Sequence, residues 1–532
     1  MTRPGAPPSS GTLTVSRILG VLVPLAVWWI AAAITGVSVA LPYPHEVLLV
    51  TARELATAGF LRQVGATVLR GVGAIGLATV VGVPLGLVAG RSAVVYALTR
   101  PFSLTVRAIP FISVILVAVI WFSSGTVPVF VAVLMALPIV TDAARTAVSA
   151  VDPRLEEMTR VHGIGSVARV VHLWVPGSLH GTLGGVRSAA GIAWKVTVAA
   201  EVLSSPAVGI GARMGEARLY LETERVLAWT IVLIVLAGAS DWVIRRLQER
   251  SVTYRRKIRQ DAPRTEGVAP RQVSSRRAGP GRNSLELDHV SFAWDHTPLL
   301  DNFSVSFARE NVTAVVGPSG IGKTTLLTVC ARGVAPNSGS VRWVPQRDAP
   351  PRVGMVFQEP RLLPWRTAEE NVMIVGAHAD HHSGQEGGYG SGHRSLDRWG
   401  ARQTLARVGL TDIGGAYPRE LSGGMQQRVA VARAIHRGPE ILLIDEPLSG
   451  IDPHHRADLT EELKMVIHQH QALTIVASHD LEFVLAIADR VVVLSGPPVS
   501  IATDLTRPTG GWPAATEQQI ATLVANVRTM NV

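Results

Sequence analysis

No residue between Arg107 and Asp142 carries a formal charge, and Gly71 to Gly90 is uncharged as well. A bilayer demands such stretches, because a spanning helix needs ~20 consecutive apolar residues. The run from Ala108 to Thr141 is too long for one helix and is interrupted at Ser123-Ser124-Gly125-Thr126. It therefore predicts two spans, Leu104–Phe122 and Val127–Val148, joined by a tight external turn. Further spans are expected at Ile18–Thr35, Gly71–Gly90, Leu183–Leu203 and Val226–Ile244, six in all. A rival reading of the first is a secretory leader with Ser38-Val39-Ala40 as its cleavage site. The apolar core exceeds the ~7–15 residues of such leaders, so a retained helix is expected.

Charge locates the rest. Of the net +10, Arg245 to Ser284 supplies +9, with twelve Lys or Arg against three acids in a Pro/Arg/Ser-rich stretch. Directly after the last span, that reads as a cytoplasmic linker beside anionic headgroups, making membrane lipid a partner. No base-reading motif accompanies the charge, so no nucleic acid is expected. Arg145, Arg154, Arg160, Arg169 and Arg187 mark the loop between the fourth and fifth spans. Six spans with an inside N-terminus put that loop and the linker on the cytoplasmic side. Met1 to Thr14 is a Pro/Ser/Gly tail expected to be disordered, and the lone Cys330 excludes an intramolecular disulfide framework.

The second half alternates charged and apolar segments, as soluble α/β domains do. Asn311 to Val316 reads as a strand, and Gly317-Pro318-Ser319-Gly320-Ile321-Gly322-Lys323-Thr324-Thr325 follows it. Glycines let the backbone curl so that successive N–H groups face phosphate oxygens. Lys323 supplies a point charge for the β- and γ-phosphates, and the Thr324 hydroxyl can ligate Mg²⁺. The following helix adds its positive N-terminal end. A second strand, Ile441 to Ile444, is apolar throughout, as buried parallel strands are, and runs into Asp445 and Glu446. Gln358 lies in VFQEPRLLPW, Ser422, Gly423, Gly424 and Gln426 in LSGGMQQR, and His479 in ASHD.

In this order and at these spacings the set resembles the ATP-binding cassette family. The resemblance implies ATP and Mg²⁺ as cofactors, with Asp445 holding the metal through water and Gln358 completing its shell. It implies that Glu446 polarises the attacking water and that His479 contacts the γ-phosphate. Ser422 and the Gly423 and Gly424 amides would reach the γ-phosphate held by the opposite subunit of a homodimer. Ser449-Gly450-Ile451-Asp452 stands where the family usually has Ser-Ala-Leu-Asp at the dimer contact. Trp294 is the candidate for stacking on adenine, with Phe292 as the alternative.

A second resemblance lies in the basic loop. Glu157-Met158-Thr159, Gly163 and then Pro176, thirteen residues after the glycine, look like the coupling motif of bacterial importer permeases. Met-Thr replaces the usual Ala-Ala. The flanking segments VDPRLEEM and GIAWKVTVAAEVL are similar to sulfonate/taurine/nitrate-type permeases. That family implies a docking helix in a groove of the ATPase, a separate extracytoplasmic solute-binding protein and a small-molecule solute.

Lys195 and Glu201 lie in the otherwise apolar fifth span. A charge there costs about 2.5–3.5 kcal/mol on insertion scales, so both are expected to face the bundle interior. With Arg187 they fall within roughly a 120° arc of a helix. They are candidates for a solute pathway, or for charge pairing that stabilises the assembly. His378, His381, His382 and His393 punctuate a His/Gly/Ser-rich stretch without tight ligand spacing, which is read as an insertion.

The expected fold is multi-domain. A disordered tail (1–14) precedes an all-α polytopic domain of about six helices, type I importer-like (15–247). A basic linker (248–284) leads to an α/β phosphate-loop ATPase with a helical subdomain (285–532). The expected place is the bacterial cytoplasmic membrane, and the expected activity ATP-driven import of a small organic anion, a sulfonate, taurine or nitrate. A pyrimidine-type vitamin precursor is the alternative solute. An exporter or a regulatory or mechanotransmitting ATPase is the alternative class.

Overall fold

The computed structural model describes residues 10–37, 39–257, 284–294, 297–309, 311–344, 350–376, 391–449, 453–496, 498–509, 511–513, 515–516 and 518–522. The chain forms two compact units: Met1–Val151 with Gly177–Ile258, and Asp152–Pro176 with Arg259–Val532.

The first unit is helical: α1 (Ser10–Thr35), α2 (Pro44–Leu55), α3 (Phe60–Ala89), α4 (Ala93–Ala108), α5 (Phe111–Trp121) and α6 (Val127–Ser149). The segment that belongs to the other unit supplies α7 (Pro153–Val161) and α8 (Ser166–Arg169). The first unit then resumes with α9 (Val175–Ser204), α10 (Ile210–Leu219) and α11 (Thr223–Lys257). Among the described residues three helices are long and apolar enough to cross a bilayer: α3, α6 and Thr223–Glu249 of α11. There are four if α4 and α5 count as one broken span. Of the six expected spans, those on α3, α6 and α11 meet that test of length and apolarity among the described residues. Leu22–Thr35 of α1 is a shorter apolar stretch among the described residues, and α9 carries Arg187, Lys195 and Glu201 along its length.

The expected Leu104–Phe122 span is corrected. It breaks at Ile109-Pro110, where α4 and α5 meet at 98°. Pro110 lacks an N–H and disfavours helical backbone before it, and Ile109 is extended at φ −76, ψ 127. The expected turn at 123–126 does separate α5 from α6. α3 and α6 pack through small residues. A Cβ added at Gly86 would lie 2.4 Å from Thr141 O, and one at Gly90 2.3 Å from Val148 Cγ1. Small residues permit such approach in the absence of a hydrophobic drive between helices. The stretch assigned to the linker begins as the last turns of α11; residues 258–283 lie outside the described residues.

The second unit is α/β. Strands β1 (Ser284–Trp294), β2 (Thr297–Ala308) and β4 (Ser338–Val344) form an antiparallel sheet in the order β2-β1-β4. Strands β3 (Thr313–Val316), β5 (Val353–Val356), β6 (Ile441–Asp445), β7 (Leu473–Ala477), β8 (Arg490–Ser495) and β9 (Ser500–Thr506) form the second sheet. Its order is β5-β6-β7-β3-β8-β9, parallel except for β9. Every residue of β3, β6 and β7 is buried, as strands covered on both faces must be. Helices α12 (Lys323–Cys330), α13 (Ala368–Met373), α14 (Ser391–Arg407), α15 (Gly423–Ile435), α16 (Pro453–His470) and α17 (Leu481–Ile487) complete the unit. Leu405 of α14, Val408 just after it and Val429 of α15 share one core with Leu442 and Ile444 of β6.

Candidate functional site

Parallel sheets bind ligands beyond the carboxyl ends of their strands. Here β3 runs into Gly317, β5 runs out through Phe357 to Gln358, β6 ends at Asp445 with Glu446 next, and β7 leads to Ser478-His479. Four motifs scattered over more than a hundred residues thus arrive at one edge of the sheet. Gly320 and Gly322 adopt φ +84 and +111, which a side chain resists, and a Cβ on Gly322 would crowd Leu299 at 3.1 Å.

Lys323 is buried and its Nζ donates to Gly317 O at 2.9 Å and Pro318 O at 3.2 Å, curled over its own loop. It also lies 3.6 Å from Glu446 Oε1. Thr324 Oγ1 donates to Asp445 Oδ2 at 2.8 Å, while Asp445 Oδ1 is buried and has no partner. Burial first, and the neighbouring Glu446, push the Asp445 carboxyl up to about 6, against the Thr324 hydrogen bond. A hydroxyl and a carboxylate with a spare buried oxygen are the hard donors that suit Mg²⁺. That ion takes one or two protein oxygens and fills its shell with water and phosphate.

Glu446 sits at φ 44, an uncommon backbone for a side-chain-bearing residue and one that clusters at functional sites. Its Oε2 is 2.7 Å from His479 Nδ1, whose ring is largely exposed. Gln358 is exposed and donates to Ser449 Oγ at 3.3 Å. Trp294 shows a half-exposed ring, 3.5 Å from Thr325 Oγ1 at Nε1, and Phe292 beside it is buried in the core.

Ser422 caps α15, accepting from Met425 N at 3.3 Å, with Gly423 and Gly424 opening the helix and no atom within 4 Å of a Cβ at either. Gln426 instead holds its own turn, donating to Pro418 O at 2.9 Å and Leu421 O at 3.2 Å. Asp452, with Gly450 and Ile451, lies outside the described residues, as do His378, His381 and His382; His393 is on α14. Among the described residues no group of three or more His, Cys, Asp or Glu could hold a metal. Cys330 is buried and pushed up to about 12 by that burial.

The basic loop is part of this same unit. Asp152 caps α7 through Arg154 N at 2.8 Å with Pro153 in the first turn, and Gly163 at φ +69 ends it. Nothing lies within 4 Å of a Cβ on Gly163, so the glycine serves the backbone and not a tight seat. The close approach is at Gly333, where a Cβ would meet Val161 at 2.7 Å. Glu157 pairs with Arg361 Nη1 at 2.8 Å and accepts from Thr328 Oγ1 at 3.3 Å. Arg154 pairs with Glu359, and His172 meets Trp365 Nε1 at its carbonyl (3.2 Å) and Arg366 Nη2 at Nδ1 (2.8 Å). Pro176 lies in the first turn of α9. The loop thus rests on the segment that carries Gln358.

That segment is held from behind by residues the sequence reading missed. The fully buried Arg433 of α15 donates to Arg361 O and Pro360 O, each at 2.8 Å, and Gln427 to Phe357 O at 3.3 Å. Burial, then Arg361, pull the Arg433 guanidinium down to about 9. An arginine on the apolar face of a helix was the available signal. His162, enclosed near Phe357, is pulled down to about 3, first by burial and then by Arg433.

The expected pathway pair separates. Glu201 is fully buried, bonded to Arg70 Nη1 at 2.6 Å, Thr67 Oγ1 at 2.9 Å and Gly211 N at 2.9 Å. Lys195 is exposed on the same helix, and Arg187 pairs with Asp241 of α11. Helix phase put Lys195 and Glu201 at opposite edges of one arc, and neighbouring elements cover the side of α9 that bears Glu201, with Ala193, Trp194 and Val196 buried around the exposed Lys195.

Family models match at two places: an ABC transporter domain over residues 300–449 and a binding-protein-dependent transport system inner membrane component over 82–252. The aliphatic sulfonates import ATP-binding protein SsuB 1 of Pseudomonas aeruginosa is 35% identical over 222 residues, 40% of this chain and 83% of that protein. SsuB 2 of Burkholderia cenocepacia is 37% identical over 231 residues, 42% of this chain and 80% of that protein.

Proposed function

We propose, because this chain belongs to the ATP-binding cassette transporter family with an importer-type permease and an ATPase on one polypeptide, that it drives uptake of an aliphatic sulfonate or a similar small organic anion. Its ATPase half is similar to proteins named for sulfonate import, and this observation carries the solute class. It works in the cytoplasmic membrane of a bacterium, with its N-terminus and ATPase on the cytoplasmic side. A separate extracytoplasmic protein delivers the solute.

In the ATP site, the N–H groups of the Gly317–Thr325 loop, Pro318 excepted, cradle the phosphates and Trp294 stacks on the base. Lys323, released from the Gly317 and Pro318 carbonyls, turns to the β- and γ-phosphates. Thr324 and Asp445, with Gln358, would hold Mg²⁺, which supplies charge neutralisation across the phosphates. Glu446 orients the attacking water and accepts its proton, and His479 holds Glu446 through Oε2 and faces the γ-phosphate. Ser422 and Gly423 stay exposed and Gly424 half-buried at the start of their own helix, and we assign them to a nucleotide on a second copy. A C2 pair of cassettes closes both sites at once.

Two experiments test this. The solute of whatever extracytoplasmic protein co-purifies in mild detergent is identified by mass spectrometry; a sulfonate is expected, and a sugar or a cation overturns the solute class. For the dimer, Lys323→Ala and Gly424→Asp chains are co-expressed. Neither traps nucleotide alone, and their heterodimer, with one intact composite site, regains trapping. A purified heterodimer that traps none, where wild type does, overturns the shared site.

A further inference from the structure

The two charges that bracket the long uncharged run meet in the fold. Arg107, in the last turn of α4, reaches Asp142 of α6 at 2.7 Å and donates to Pro138 O at 3.2 Å. Pro138 is the central residue of α6. α5 has 11 residues and rises roughly 16 Å, about half of a ~30 Å hydrocarbon core. The 98° break between α4 and α5 therefore lies near mid-depth of the helix it packs on, and the ion pair lies at the break. Arg145, one turn past Asp142, places a second guanidinium 3.9 Å from the same carboxylate and 4.7 Å over the Tyr96 ring. Two cations share one carboxylate.

Unlike Glu201, this pair is open: the Arg107 side chain is 47% exposed and that of Asp142 31%. A charge among acyl chains is costly, so an open pair at this depth faces water or protein. Interrupted helices at mid-depth are tolerated where they line a cavity, and transporters build solute sites there.

We propose that Arg107, at the α4–α5 break, is the membrane-embedded contact for the anionic group of the imported solute. This rests on the reading that the solute is an organic anion. A guanidinium presents a planar fork of donors that matches a sulfonate or carboxylate. Asp142 holds the fork in place and takes up part of its charge. Binding then stays weak enough for the solute to leave, as passage requires.

The only cysteine, Cys330, is buried, so one engineered thiol reports alone. Phe111→Cys, an exposed position at the start of α5, is introduced into the full chain, reconstituted in lipid vesicles. Its labelling rates are measured with 2-sulfonatoethyl methanethiosulfonate and with the trimethylammonioethyl analogue. The ratio of anionic to cationic rate is expected to fall about fivefold or more on adding Arg107→Gln, the effect of roughly 1 kcal/mol of electrostatic attraction. Arg107→Lys restores it, and Asp142→Asn raises it above the parent value. Ile112→Cys, also exposed, replaces the reporter if Phe111→Cys does not fold. Labelling by neither reagent means that the break is closed to water, and a ratio indifferent to Arg107→Gln means that the guanidinium does not act there. Either result overturns the proposal, and neither touches the uptake reading, since no transport is measured.

Discussion

Asp445 and Glu201 are both buried carboxylates, one at a strand end in the ATPase unit and one on a helix of the membrane unit, and the fold treats them oppositely. Glu201 is saturated by Arg70, Thr67 and the Gly211 amide. Thr67 in turn accepts from Ile210 N, and Gln63 from Gly209 N, so the network ties α3 and α9 to the start of α10. Asp445 has one hydroxyl donor and an oxygen with nothing bonded to it. Beside it Glu446 is held at a positive φ. Buried polar atoms are normally paired, and the exceptions call for explanation. A carboxylate with both oxygens bonded builds scaffold; one with an oxygen in reserve, next to a strained backbone, is placed for a ligand.

The sharpest way to break that contrast is to remove a charge at each of the two sites, Glu446 beside Asp445 in one and Glu201 in the other. Glu446→Gln should cut ATP hydrolysis by about 10²–10⁴-fold, the usual worth of a positioned general base, while leaving ATP binding intact. Lys323→Ala should lose binding as well. Near-normal turnover in Glu446→Gln would remove Glu446 from the chemistry. Glu201→Ala should leave ATP binding unchanged and destabilise the membrane unit by about 3–5 kcal/mol, because Arg70 keeps a mostly buried, unpaired charge. Thermal unfolding in detergent reads this. Unaltered stability with lost uptake would instead return Glu201 to the solute pathway.

His162 sharpens the comparison at the docking loop. Its folded pKa, about 3, is below the ordinary 6.5, so the unfolded chain binds more protons between those values. Stability is fully present above pH 6.5 and is lost as pH falls toward 3, by about 2 kcal/mol at pH 5. His162→Leu should flatten the pH 7-to-5 drop in unfolding temperature; an equally steep drop in the variant would place the acid sensitivity elsewhere.

The smallest expected effect is at Gly163. At φ +69 with open space around it, Gly163→Val strains the backbone by about 1–2 kcal/mol without a clash. ATPase activity should survive and coupled uptake should fail as the end of α7 shifts. Equal loss of both, in a folded protein, would argue against a coupling role.

What could be read in the chain and what could not follow a physical line. The phosphate loop, the apolar strand into Asp445-Glu446 and the cap at Ser422 are local: a few consecutive residues suffice for each conformation, and the parallel sheet gathers them at one edge. The uncharged run likewise declared a membrane segment by itself, and Pro110 was visible within it, though not that its break would bend the span by 98°. Pairing was beyond reach. Glu157 and Arg361 are 204 residues apart, and no periodicity joins them. Helix phase set Lys195 and Glu201 at the two edges of a roughly 120° arc, and which edge is covered depends on the elements that pack there, which is why one is exposed and the other sealed. The sequence alone determined which chemistry the chain can perform, because motif backbone and strand character are short-range. Only the tertiary structure decided which charges are spent on scaffold and which, at Asp445 and at Arg107, remain open to a ligand, because burial and partner choice are set by residues far away in the chain.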